Sequence, residues 1–155
     1  MSLNKIIIGF IIILLLLSGF IFLQIKNPLP KSQVTIDKQT FSVEVATTSA
    51  QQASGLSGRA SLPQNQGMLF NFPVADRYPF WMKDMKFPLD MLFIHNNKIV
   101  TIFQNVPAPK DPNNTNTLPI YAPDSPANQV LEINAGLSKK YGFKKGDTVT
   151  TEIKK

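Results

Sequence analysis

Proline is the feature that most limits the shapes open to this chain. Twelve prolines, all of them beyond Asn27, stand mostly at the boundaries of short apolar runs. Each one removes a backbone donor and blocks helix propagation through its position, so long helices have little room after Pro28 and the apolar runs are left to pair as strands. Val34 to Ile36 and Phe41 to Ala46 alternate apolar and polar residues around a turn at Lys38-Gln39, the pattern of a hairpin. Met68 to Phe72, Pro79 to Met82, Met91 to Ile94 and Lys98 to Phe103 are further short runs, the last two joined by a tight turn at Asn96-Asn97. Gln129 to Ile133 and Thr148 to Ile153 complete the set. Such spacing predicts a mainly β domain, a compact β-sandwich or a barrel-like sheet, with one or two short helices. The helices are expected at Thr48 to Leu56, with Ser49 as cap and Gly55 as stop, and at Leu137 to Tyr141, ended by Gly142. Between Gln104 and Asn128 lie six prolines and five asparagines with few charges, a long surface loop of the kind that is either functional or loosely ordered.

The N-terminal end obeys other rules. Ile6 to Ile25 is a 20-residue run with nothing more polar than Gly9, Ser18, Gly19 and Gln24. At ~1.5 Å per helical residue it spans ~30 Å, the thickness of a bilayer's hydrocarbon core. The run is longer than the apolar core of a cleaved leader, no small-x-small cleavage site precedes Asn27-Pro28, and the absence of Cys excludes a lipoprotein processing site. Residues 1–26 are therefore expected to be a signal anchor, a single N-terminal transmembrane helix, with residues 27–33 as a Pro-containing tether and 34–155 as one β-rich domain. Orientation is contested within the sequence itself. Lys26, Lys31 and Lys38 outnumber Lys5, against the positive-inside rule for an exported domain, whereas a very short basic tail before the first apolar segment is how export signals are built. The second argument leads to a single-pass protein of the cytoplasmic membrane with its C-terminal domain extracytoplasmic.

Net charge is +6, but without Lys5, Lys26 and Lys31 the remainder holds 13 basic against 10 acidic residues, or +3. Much of that excess is at Lys139, Lys140, Lys144, Lys145, Lys154 and Lys155, with only Tyr141 and Phe143 interleaved. Base-stacking surfaces need more aromatic residues than this, so nucleic acid is not an expected partner.

Absences eliminate several chemistries. The single His, His95, falls beside a turn at Asn96-Asn97, so neither a Ser-His-Asp nor a Cys-His hydrolase has its base. One His and no Cys exclude the common tetrahedral zinc sites, and no Gly-rich phosphate loop follows a strand. Met82 and Met85 have the spacing of Cu(I) thioether ligands, but Met68, Met82 and Met91 occupy apolar positions and are expected to fill the core. No metal or cofactor is implied.

The only Trp and four of the five Met fall in the 28 residues from Gly67 to Ile94. Within them, Gly67-Met-Leu-Phe, Phe80-Trp-Met-Lys83 and Pro88-Leu-Asp90 resemble the core of domain of unknown function family 192. The resemblance continues through Gly55-Leu-Ser-Gly-Arg59, Pro126-Ala127, Val130-Leu-Glu132, Ala135-Gly136 and Gly146-Asp147, and so covers about Phe41 to Val149. Ser57-Gly58 and Asp84-Met85 depart from the family pattern. The resemblance implies a compact β domain and assigns no reaction.

Arg59, Asp90 and Glu132 are charged residues embedded in these otherwise apolar or Gly-rich segments. Along Val130 to Asn134 side chains alternate, so if Leu131 and Ile133 fill the core, Glu132 lines the opposite face, where it can meet a ligand. An ionised group near a core must be paired, and an Arg59 partner or backbone N-H groups at a turn would supply that. Trp81, beside Lys83, is the aromatic placed to stack against a sugar ring or grip a peptide. The expected binding residues are thus Arg59, Trp81, Lys83, Asp90 and Glu132, with the membrane as partner through residues 6–25 and a small polar ligand, glycan or peptide as the bound species. A carboxylate-based hydrolase using Asp90, Glu132 and Arg59 is the enzymatic alternative, and a structural or assembly domain at the membrane is the third class.

Overall fold

The computed structural model describes residues 28–111 and 118–153. The proposed anchor at 6–25 lies outside them, and among the described residues no helix is long and apolar enough to cross a membrane. Seven strands form one sheet: β1 (Lys31–Ile36), β2 (Gln39–Ala46), β3 (Gln66–Asp76), β4 (Leu89–His95), β5 (Lys98–Val106), β6 (Ala127–Asn134) and β7 (Val149–Ile153), in the order β5-β4-β6-β3-β2-β1-β7. Among the described residues two short helices, α1 (Ser49–Ser54) and α2 (Leu137–Tyr141), interrupt them. Only β2 and β3 run parallel, and α1 sits in the crossover that such a pair requires.

The sheet is a curled half-barrel, one layer of strands instead of the two of a sandwich. Its outer edges meet at one end, where Lys98 and Thr148 form an isolated bridge and Ile99 N-H donates to Asp147 O at 3.0 Å. Gly146 N-H donates in turn to Ile99 O at 2.8 Å. One apolar cluster draws on all seven strands through residues such as Val34, Phe41, Leu69, Leu92, Ile99, Leu131 and Val149, which places it inside the curl. A second cluster covers the other face of the central strands: Met68, Phe70, Met91, Phe93 and Val130 pack beneath Leu56, Leu62, Met82 and Met85. Strand β4 is buried along both faces, which accounts for its nearly unbroken apolar run.

Local chemistry explains the connections. Asp37 takes the left-handed backbone between β1 and β2, and Asn96 and Asn97 both do so between β4 and β5, with φ of 49° and 58°, the geometry of a tight hairpin turn whose twist matches its strands. His95 is the last residue of β4, its ring 3.4 Å from the Asn128 side-chain oxygen. The cap of α1 is Thr48, one residue before the expected Ser49: its side chain accepts from Gln51 N-H while the Gln51 side chain accepts from Thr48 N-H, a reciprocal capping box. Gly142 ends α2 as expected.

Pro79 to Met82 is not a strand. Only Phe80 pairs, in an isolated bridge to Tyr121, because Pro79 has no N-H to offer a ladder. The segment instead lies over the second cluster, held to the long loop by Phe80 N-H to Tyr121 O at 2.9 Å and the reverse bond at 2.8 Å. Strand β5 runs on to Val106 and β6 begins at Ala127, so both ends of the loop expected from Gln104 to Asn128 belong to strands.

Candidate functional site

Strand β6 crosses the middle of the sheet, and its alternation decides the site. Leu131 and Ile133 enter the enclosed core, while Val130 and Glu132 face the second cluster. Glu132 is in register with Met68 on β3 and Met91 on β4, both fully buried. It is only 5% exposed, and no hydrogen bond or ion pair to its carboxyl is found among the described residues. Burial alone raises its pKa to about 8, since a charge there would lose its hydration without a counter-ion. At neutral pH the group is therefore mostly a neutral acid, with one proton to donate and an oxygen to accept.

This carboxyl opens onto a pocket of ≈ 180 Å³. Phe70, Phe72, Tyr78, Phe80 and Trp81 line it, together with the C-terminal end of α1, Leu56 and Met85. The rings are fixed by one another: Phe72 stacks on Tyr78 at 3.8 Å, and Phe80 meets Phe70 edge-on at 5.0 Å and Phe93 at 5.5 Å. The Tyr78 hydroxyl donates to Val74 O at 2.9 Å. The Gln52 side chain donates to Asn71 O at 2.9 Å and ties α1 to β3. Gly55 turns the chain with φ 47° and ψ −133°, a conformation that L side chains avoid, and a Cβ there would come within 3.2 Å of the Phe70 ring. Glycine at this position thus keeps the wall of the pocket close to the ring.

Asp90 has a different task. It lies between Leu89 and Met91 of the second cluster and opposite Ile133, so it projects to the enclosed face, away from Glu132. One carboxylate oxygen accepts from Asn105 N-H at 2.8 Å and Gly136 N-H at 3.0 Å, the other from Ser138 N-H at 2.8 Å. Asn105 is at the bulge of β5, with φ 53°, and Gly136 and Ser138 begin α2, which has no cap of its own. Asp90 is a remote cap that joins a bulge to a helix start.

Arg59 is ion-paired with Glu44, both half-buried, and with neither of the other two carboxylates. Glu44 is in register with Met68, which is in register with Glu132, so the pair stands two strands from Glu132, ~10 Å away across the sheet. It lines a neighbouring groove that shares the Gly55 rim. Trp81 is 53% exposed at the pocket's edge. Lys83 is exposed and outside the pocket lining, and its carbonyl accepts from the Ser57 hydroxyl at 2.8 Å. Of the five expected residues, Glu132 and Trp81 therefore share one pocket and the other three do not join them. Gln52, Gly55, Leu56 and Met85 complete it. Gly55 was recognisable as a helix stop, but nothing in its sequence context ties it to Phe70.

The arrangement has one buried acid and no second carboxylate beside it. A glycosidase-type reaction needs two, so the Asp90 and Glu132 pairing has no geometric basis. Met68, Met82, Met85 and Met91 pack in the apolar cluster, and no group of three or more His, Cys, Asp or Glu able to hold a metal occurs among the described residues.

Two solved structures share this fold. One, a chain from Sinorhizobium meliloti 1021 named as a proposed transcription regulator, is 32% identical with a TM-score of 0.70, covering 81% of this chain and 97% of its own. The other, a protein of unknown function from Novosphingobium aromaticivorans DSM 12444, is 34% identical with a TM-score of 0.67, over 77% of this chain and 83% of its own. No curated protein matches the sequence. The model of the family described as Uncharacterized ACR matches residues 32–151, nearly every strand of the sheet and both walls of the pocket, and the chain belongs to that family, domain of unknown function 192.

Proposed function

We propose that this protein is a membrane-anchored, extracytoplasmic binding domain whose aromatic pocket over Glu132 takes a small polar ligand or the polar end of a larger one. The observation that carries the reading is the unpartnered carboxyl at the base of a pocket with fixed walls. The carboxyl reaches solvent only through the pocket; a polar group wholly cut off without a partner costs about 1–3 kcal/mol, so a ligand that closes the pocket must satisfy it. Size supports a single side chain or compact molecule, since a cavity of ~150 Å³ holds a benzene and this pocket measures ≈ 180 Å³. A glycan or peptide would enter only by one terminal group, with the exposed Trp81 ring beside the opening as a stacking surface.

The binding reading is tested by thermal shift on the full-length chain in detergent, against sugars, amides, amino acids, amines and short peptides. At least one class should raise the melting temperature, and Glu132→Gln should abolish that rise. A flat response across all classes, with Phe80→Ala simply melting lower, would leave the structural role in its place. The location is tested by adding protease to intact spheroplasts. Digestion of the 34–155 domain is expected, and protection of that domain until lysis would place it inside.

A further inference from the structure

We infer that the group this pocket selects is a primary alkylammonium, seated with its nitrogen against the Glu132 carboxylate and its alkyl chain along the aromatic wall. This rests on the binding reading above and adds the chemistry of the ligand to it.

Charge is the first argument. Glu132 is the acidic group lining the pocket, and no Lys or Arg lines it among the described residues: Arg59 is engaged by Glu44 in the adjoining groove and Lys83 stands outside. An anionic ligand would find no cationic side chain in the lining to pair with. A cation supplies what the site lacks, and in a desolvated pocket an ammonium-carboxylate contact is stronger than a neutral hydrogen bond.

The walls give the second. Five aromatic side chains border the space, and aromatic faces attract cations through the ring quadrupole. Of the other lining residues Leu56 and Met85 are buried and apolar, whereas Ser54 and Ser57 are exposed and Gln52 is half-buried. That order suits a ligand with a charged head, a plain hydrocarbon stem and polar groups only at the far end. A sugar, with hydroxyls on every side, would leave most of them against carbon. At ≈ 180 Å³ the space accepts a four- to six-atom stem. A free amine and a lysine side chain offer this same chemistry.

Binding of an ammonium requires the acid to ionise, so a proton must leave. The groups facing Glu132 are few. Strands β3 and β4 place Met68 and Met91 beside it in register, and the polar side chains that share its pocket are Gln52, bonded to Asn71 O, the exposed Ser54 and Ser57, and Tyr78, whose hydroxyl is bonded to Val74 O. Tyr78 is the other titratable side chain lining the pocket. Lys83 and Asp84 of that segment are exposed and outside the lining. With the Glu132 pKa at about 8, the proton released at pH 7 comes from Glu132, and at pH 9 little remains to be released.

The test is titration calorimetry on the full-length chain in detergent at pH 7, in two buffers of different ionisation enthalpy. The probes are n-butylammonium chloride, Nα-acetyl-lysine amide, n-butyramide and glucose. Butylammonium should bind with close to one proton released per site at pH 7 and far less at pH 9, and Glu132→Gln should weaken it at least tenfold without lowering its own melting temperature at pH 7. Tighter binding of the acetyl-lysine amide identifies a lysine side chain as the source, and weaker binding a free amine. If butyramide or glucose binds through Glu132 while butylammonium does not, the pocket is a receptor but the ammonium inference is wrong. Butylammonium binding undiminished in Glu132→Gln overturns the inference as well. If no probe binds, both this inference and the binding reading fail.

Discussion

Replacing Glu132 by Gln should make the protein more resistant to alkali, by an amount that follows from burial. The carboxyl ionises at 4.5 when exposed and at about 8 in the folded chain, through desolvation. Between those values the folded state holds a proton that the unfolded state has lost, so unfolding releases it and stability falls as pH rises, at ~1.4 kcal/mol per pH unit. Stability from the neutral acid is therefore complete below pH 4.5 and gone once pH passes 8, a total of ~5 kcal/mol. Gln is close in shape, keeps a donor and an acceptor, and does not titrate in this range. Wild type and Glu132→Gln should thus unfold with similar free energies at pH 5, and the variant should lead by ~3–5 kcal/mol at pH 9. Urea unfolding followed by Trp81 fluorescence at pH 5, 7 and 9 measures this, and subtracting wild type from variant cancels the titration of every other group. A difference that stays constant from pH 5 to 9, or that favours wild type at pH 9, would falsify the claim that Glu132 is buried without a counter-charge.

Other perturbations separate architecture from site. Asp90→Ala strips the acceptor from Asn105, Gly136 and Ser138 N-H groups and should cost ~3–5 kcal/mol in urea unfolding; a cost under ~1 kcal/mol would mean the α2 start does not depend on it. Gly67→Ala puts a Cβ 2.6 Å from the Glu132 carbonyl oxygen, so β3 and β6 must part and ~1–3 kcal/mol should be lost, with hydrogen exchange at Met68 and Leu131 amides rising together. Arg59→Ala removes a half-exposed ion pair and should change stability by no more than ~1 kcal/mol while leaving butylammonium affinity intact; a large loss of affinity would move the site into the neighbouring groove.

What the sequence disclosed and what it hid divide along the range of the interaction. Alternation in β6 placed Glu132 opposite Leu131 and Ile133, because the face of a strand residue depends only on its neighbours. Asn96-Asn97 and Gly142 announced a hairpin and a helix end for the same reason. For Asp90 the sequence offers either a binding role or backbone N-H partners at a turn, and the second holds; which N-H groups they are, those of residues 105, 136 and 138, only the order of strands in the sheet decides. Arg59 was set beside Asp90 and Glu132, whereas Glu44, 15 positions earlier, takes it. Pro79 to Met82 carried an apolar run like that of a strand, yet its proline left a single bridge to Tyr121, and the same residues became a wall of the pocket.

The position of β1 sets a schedule for making this protein. Strand β1 lies between β2 and β7, and the Ser32 hydroxyl donates to Glu152 O across 120 positions of sequence. At a synthesis rate of about 5–20 residues per second, the outer side of β1 has no partner for ~6–24 s after it emerges, with its backbone groups open to any passing strand. Val34 and Ile36 alternate there with Gln33 and Thr35, so the waiting edge is half polar, and it stays exposed until nearly the last residue of the sheet has been made.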